Sequence, residues 1–169
     1  MEKKEQVFDS IYEAIGNTPM VRLQRIPKEE GIECEVFVKC EFMNPGGSVK
    51  DRIGREMFVE AEKTGWLKPG DTIVEATSGN AGIGLAFVAA CKGYKMVVTL
   101  PQKMSNEKVS VLKSLGAEVV RTPTEAATFA ENSHYMVARK IVKERGEGTH
   151  ILDQYGNPNN PDAHYRTTG

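Results

Sequence analysis

From Thr72 to Leu152 the chain alternates short apolar runs with longer amphipathic ones, and this alternation restricts the fold more than any other feature. Residues 72–75, 95–100, 118–121 and 150–152 read as strands. Residues 79–92, a stretch opening at Ser105 and a stretch capped by Ser133 and running through Arg145 read as helices. Gly93 and Gly116 stand where two of these helices stop, and Pro69-Gly70-Asp71 marks a turn. Strand and helix in strict succession predict an α/β fold, a parallel sheet with right-handed helical crossovers on its faces. Ligands of such sheets bind outside the carboxyl ends of the strands. Those ends are 76–80, 101–103, 122–124 and 153–155.

Upstream, 36–39 reads as a short strand. Residues 48–64 read as a helix, with Val49, Ile53, Met57 and Ala61 in a row four apart, Ser48 as N-cap, Asp51 in the first turn and Gly65 as the stop. The 79–92 helix is apolar nearly all round and is expected to be buried. Met104 before the Ser105 cap and Val109 after it form a candidate hydrophobic staple. A net charge of -1 gives no basic field for nucleic acid, and no apolar run reaches the roughly 20 residues a membrane span needs. The charged start MEKKEQVFDS lacks the apolar stretch of a signal peptide. Cys34, Cys40 and Cys91 are too scattered for a disulfide framework or a metal site, so a cytoplasmic location and a small-molecule ligand are expected.

Three constellations carry candidate chemistry. Lys50 follows Asn44-Pro45-Gly46-Gly47-Ser48 and falls in a first helical turn, where free N–H groups and the helix dipole disfavour a cation by about 0.3–1 kcal/mol. It is either a solvated lysine paired with Asp51 or a nearby Glu, or a nucleophile able to form a Schiff base with an aldehyde. Thr77-Ser78-Gly79-Asn80-Ala81-Gly82-Ile83-Gly84, between a strand and a helix, reads as a cradle for a carboxylate, phosphate or ring hydroxyl, or as a buried helix start whose glycines allow close packing. Asp153-Gln154-Tyr155, beside Asn157-Pro158-Asn159-Asn160-Pro161, offers an amide at the rim of the same sheet or a plain turn. His134, His150 and His164 lack ligand spacing and read as structural.

With these motifs together, the chain resembles the cystathionine β-synthase and cysteine synthase family of pyridoxal-phosphate enzymes. The likeness runs from Ile15-Gly16-Asn17-Thr18-Pro19 to His164-Tyr165-Arg166-Thr167-Thr168. It is most specific in Gly46-Gly47-Ser48-Val49-Lys50-Asp51-Arg52, Thr77-Ser78-Gly79-Asn80 and Ile151-Leu152-Asp153-Gln154-Tyr155. Gly46-Gly47-Ser48, Glu107-Lys108-Val109 and the Leu152–Tyr155 run lie nearer the cystathionine β-synthase side.

The resemblance implies that Lys50 holds pyridoxal 5'-phosphate through a Schiff base and later acts as base at the substrate Cα. It implies that Asn80 meets the ring hydroxyl, and that Thr77, Ser78, Gly79, Asn80 and Ala81, with Gln154, grip the substrate carboxylate. It implies β-replacement, serine condensing with homocysteine or a related thiol, and a homodimer in the full-length form. The alternatives are a cysteine synthase using activated serine and sulfide, or a non-catalytic paralogue that binds a ligand or partner. Ala81 stands where the family usually has threonine, removing a hydroxyl worth about 0.5–1.5 kcal/mol. The implied fold is the small domain of a tryptophan-synthase-β-like core over 39–150. Residues 1–38 and 151–169 are implied to join a larger domain that is incomplete here, and the family's loop for the cofactor phosphate is implied to lie beyond Gly169. The chain alone is therefore expected to be weak or inactive.

Overall fold

The structure, a computed structural model, describes residues 6–77 and 79–169. Early in the chain, β1 (Met20–Arg22) pairs antiparallel with β2 (Phe37–Lys39), and α1 (Arg25–Glu29) lies in the connection between them. Then follow α2 (Lys50–Lys63), β3 (Thr72–Ala76), α3 (Asn80–Lys92), β4 (Lys95–Pro101), α4 (Asn106–Ser114), β5 (Glu118–Thr122), α5 (His134–Arg145), β6 (Thr149–His150) and α6 (Asn159–Thr167). The last four strands form one parallel sheet in the order β5-β4-β3-β6, with Ile73 opposite both Met96 and His150.

Side chains of a strand alternate between faces, and here each face has a helical cover. Ile73, Met96, Val98 and Leu100 share one core with Leu85, Val88 and Ala89 of α3. Val74, Ala76 and Val97 share the other with Ala138 of α5. β3 is buried along its whole length because it has a neighbouring strand on each edge and a helix on each face. The apolar row predicted for α2 packs against α3, and burying Met57 and Phe58 there contributes roughly 1.5–3 kcal/mol each. Ser133 caps α5 as expected, its Oγ accepting from the Met136 N–H at 3.1 Å. Gly93 closes α3 in the left-handed region at φ 78°.

The structure departs from the sequence reading in four places. Val49, not Ser48, is the N-cap of α2, because Ser48 and Val49 first make short turns with carbonyls accepting from Asp51 and Arg52 at 3.3 Å. Ser48 instead accepts the Lys50 N–H on its Oγ at 3.1 Å, which makes Lys50 the first helical residue. β6 ends at His150 rather than Leu152, since Asp153 turns left-handed at φ 54° and the chain leaves the sheet. Asn159 and Asn160 open α6, where the sequence suggested a turn. β1 and α1 were not expected; each is short and lacks a periodic apolar face. No described helix is long and apolar enough to cross a membrane.

Candidate active site

The loop before Lys50 is built around the side chain of Asp51. This carboxylate is fully buried, and its Oδ2 accepts the Gly46 N–H at 2.6 Å. A Cβ on Gly46 would fall 2.5 Å from Asp51 Oδ1, so only glycine leaves room for the carboxylate there. Burial pushes the Asp51 carboxyl up to about 6, against the backbone N–H groups of Gly46 and Ser48 that draw it down. Asp51 thus faces its own loop and not Lys50. Among the described residues Lys50 Nζ has no ion-pair or hydrogen-bond partner, Asp51 included.

Arg52, two residues on, anchors the segment from below. Its guanidinium is 1% exposed and forks onto Glu41, Nε to Oε2 at 2.7 Å and Nη2 to Oε1 at 2.8 Å. Nη1 donates to the Thr167 carbonyl and hydroxyl, both at 3.0 Å, and Nη2 to Thr18 Oγ1 at 3.2 Å. Glu41 also accepts from Thr18 and Asn44, and Asn44 Oδ1 accepts the Gly16 N–H at 2.8 Å. The Arg52 guanidinium holds the Glu41 carboxyl down at about 2. One buried charge pair therefore ties the Gly16-Asn17-Thr18 segment, the lysine loop and the end of α6 together.

The second loop reaches Lys50 through glycines. A Cβ on Gly84 would fall 2.6 Å from the Lys50 carbonyl oxygen, and one on Gly54 would fall 2.9 Å from the Gly84 carbonyl oxygen. Gly54 and Gly84 so let α2 and α3 touch backbone to backbone, which sets the start of α2 beside the start of α3. Close packing does explain glycines of this loop: Gly84 meets α2, and a Cβ on Gly82 would run into Thr77 Cγ2 and fall 3.5 Å from Val98 of the sheet. Thr77, 2% exposed, accepts the Gly79 N–H at 3.3 Å and the Gly82 N–H at 3.2 Å on Oγ1. With two bonds accepted, the hydroxyl keeps its proton for donation. Asn80 is exposed at the first position of α3, and Ala81 is buried in the core behind it. Ser78 lies outside the described residues. A Cβ at Gly79 would stand 3.4 Å from Lys108 Nζ, so a second ammonium borders the loop.

Gln154 completes the convergence, with Nε2 donating to the Ala76 carbonyl at 3.2 Å, one residue before Thr77. Its backbone carbonyl accepts from Asn160 Nδ2 at 2.7 Å, so the Asn-rich stretch fastens this loop and does not extend the cradle.

The sequence profile described as pyridoxal-phosphate dependent enzyme matches residues 11–169. The chain belongs to this family. It is 59% identical over 165 residues to a cystathionine beta-synthase of Dictyostelium discoideum, covering 98% of this chain and 32% of that one. It is 55% identical to that of Rattus norvegicus, over 98% of this chain and 29% of that one. To a cysteine synthase B of Salmonella typhimurium it is 47% identical, over 96% and 51%. Among solved structures, an O-ureido-L-serine synthase superposes with a TM-score of 0.87 at 42% identity, over 96% of this chain and 49% of that one. The chain thus spans about a third of the length of the cystathionine beta-synthases it matches.

The residues present fit the family's cofactor. Lys50 offers an amine free of side-chain partners among the described residues. At Gly79 the opening N–H groups of α3 and the Lys108 ammonium, both suited to an anion, border the second loop. Sequence reasoning passed over Gly54, Asp51 as the loop's core, the Arg52–Glu41 pair and Glu75. Gly54 leaves a signal, a glycine costing about 1 kcal/mol inside a helix. Glu75 leaves another, the one charge in a strand otherwise uncharged.

Proposed function

We propose that this chain carries the lysine-bearing part of a site for β-replacement on amino acids, condensing serine with homocysteine to cystathionine in the full-length protein. The observation that supports it best is the approach of Gly84 to the Lys50 carbonyl, which packs the start of α2, with Lys50, against the helix that the Thr77–Ala81 loop opens. Pyridoxal phosphate, bound there, supplies the electron sink for carbanion chemistry. Lys50 Nζ binds the aldehyde and takes the substrate Cα proton. Asn80 donates to the ring hydroxyl. The Thr77 O–H, Ser78, the N–H groups of residues 79–81 and the Gln154 amide hold the substrate carboxylate, orienting the Cα–H bond toward Lys50.

The relatives named cystathionine beta-synthase favour serine and homocysteine, and the one named cysteine synthase B supports an activated serine with sulfide as a second reading. Met20, Val21, Phe37 and Val38 on the β1–β2 ladder are exposed, which supports residues 1–38 joining a larger domain, 39–150 forming the small one and 151–169 leading back. A homodimer is proposed for the full-length form.

Borohydride reduction of the chain with pyridoxal phosphate, followed by peptide mass analysis, tests the lysine. The adduct is expected on Lys50 and is lost in Lys50→Ala. Labelling spread evenly over surface lysines, unchanged in Lys50→Ala, would sink the proposal.

A further inference from the structure

Glu75 is the one acidic residue in β3, and it is 2% exposed. Its two oxygens are divided between consecutive amides of the loop after β6: Oε2 accepts the Asp153 N–H and Oε1 the Gln154 N–H, each at 3.1 Å. Asp153 is held at φ 54°, a left-handed conformation that a non-glycine residue keeps only where its surroundings fix it. That turn presents both N–H groups to one carboxylate. The Gln154 amide then lies on the Ala76 carbonyl, next to Glu75 in sequence and next to Thr77 at the rim.

We propose that Glu75 is a positioning residue that fixes the Gln154 side chain at the substrate loop by clamping the main chain of residues 153 and 154. The functional half of this inference rests on the reading of Gln154 as a carboxylate contact; the clamp itself does not. As a carboxylate, Glu75 accepts both N–H groups. Protonated, it turns one oxygen into a donor facing an N–H, and one of the two bonds is lost. The clamp therefore tightens as Glu75 ionises.

The surroundings set where that happens. Burial pushes the Glu75 carboxyl up to about 7, with the Asp153 carboxylate adding to the rise and the N–H groups of Gln154 and Asp153 opposing it. Its β4 neighbour is Val98, which carries no charge. Tyr135 and Arg139 of α5, with Asp153 and Tyr155, line a cavity of about 210 Å³ that also borders Glu75. Arg139 donates to the Tyr135 hydroxyl at 2.7 Å, and the charge that acts on Glu75 is that of the Asp153 carboxylate. Because Glu75 lies in an interior strand, loosening the loop leaves it within the sheet.

Amide NMR and hydrogen exchange on the chain, without ligand, test the clamp. The Asp153 and Gln154 amide signals are expected to titrate together with one midpoint near 7, and their protection, corrected for intrinsic exchange, to rise toward the alkaline side. In Glu75→Gln the joint titration disappears and protection of both falls roughly tenfold, the loss expected for one charge-assisted bond. Glu75→Asp, too short to reach both amides, restores neither. Amides that move only in the ordinary carboxylate range, or independently of one another, overturn the proposal. If Glu75→Gln does not fold, the titration of the unsubstituted chain decides alone. Lys50 trapping reads the reaction proposal separately, so the two can fail independently.

Discussion

Replacing Gly84 by alanine tests how the two loops are brought together. The new Cβ would lie 2.6 Å from the Lys50 carbonyl oxygen, 2.8 Å from its carbon and 3.0 Å from the Asp51 nitrogen. All three are backbone atoms, so no side-chain rotation relieves the clash. Carbon and oxygen normally stay beyond about 3.4 Å, so α2 and α3 must part by roughly 0.8 Å. Overpacking of this kind costs about 1–3 kcal/mol, and the rigid neighbours put it near the top of that range. Alanine returns about 1 kcal/mol through its better helix propensity. The net loss is about 1–2 kcal/mol, which for a chain of this size lowers Tm by about 2–8 °C. Calorimetry gives the number, and borohydride trapping on Lys50 gives the consequence, a smaller trapped fraction as the start of α2 moves away from α3. The sign is decisive. If α2 and α3 were not in backbone contact, the substitution would act only through propensity and raise Tm. A raised or unchanged Tm with full trapping refutes the reasoning. Gly54→Ala strains the same contact, and the double variant should cost less than the sum of the two.

Arg52→Met, which leaves Glu41 unpaired, should cost about 3–5 kcal/mol in urea unfolding, while adding Glu41→Met should return part of that loss; a single-variant cost under about 1 kcal/mol would show that the pair is not buried. Glu41 is depressed to about 2 in the folded state, so its stabilisation is complete above the ordinary glutamate value and disappears as pH falls toward 2. Glu41→Gln should flatten acid unfolding in that window, and an unchanged profile counts against the linkage. Asp51 has the opposite sign: its folded value is raised to about 6, so its contribution is fullest below the ordinary aspartate value and declines as pH rises through 6. In Asp51→Asn the fall in Tm across that interval should be shallower than in the parent.

The order of elements from β3 to β6 was legible in the sequence because strand and helix periodicities are local, and glycines such as Gly93 and Gly116 punctuate them where the backbone must turn left-handed. The same reading picked out Lys50, Thr77, Asn80 and Gln154, since a cation in a first helical turn and hydrogen-bonding residues at strand ends are unusual within a few residues of sequence. The β1–β2 ladder escaped it because three-residue strands carry too few alternations to register, and α6 escaped because Asn157, Asn159 and Pro161 resemble a turn. What brings the loops of the candidate residues together belongs to the tertiary structure alone. Gly84 meets the carbonyl of Lys50, Arg52 joins Glu41 to Thr167, and Glu75 captures the amides of residues 153 and 154. These contacts join residues far apart in the chain. A sequence pattern records what each residue can donate, accept or leave empty; only packing decides which partner, from another element, fills that position.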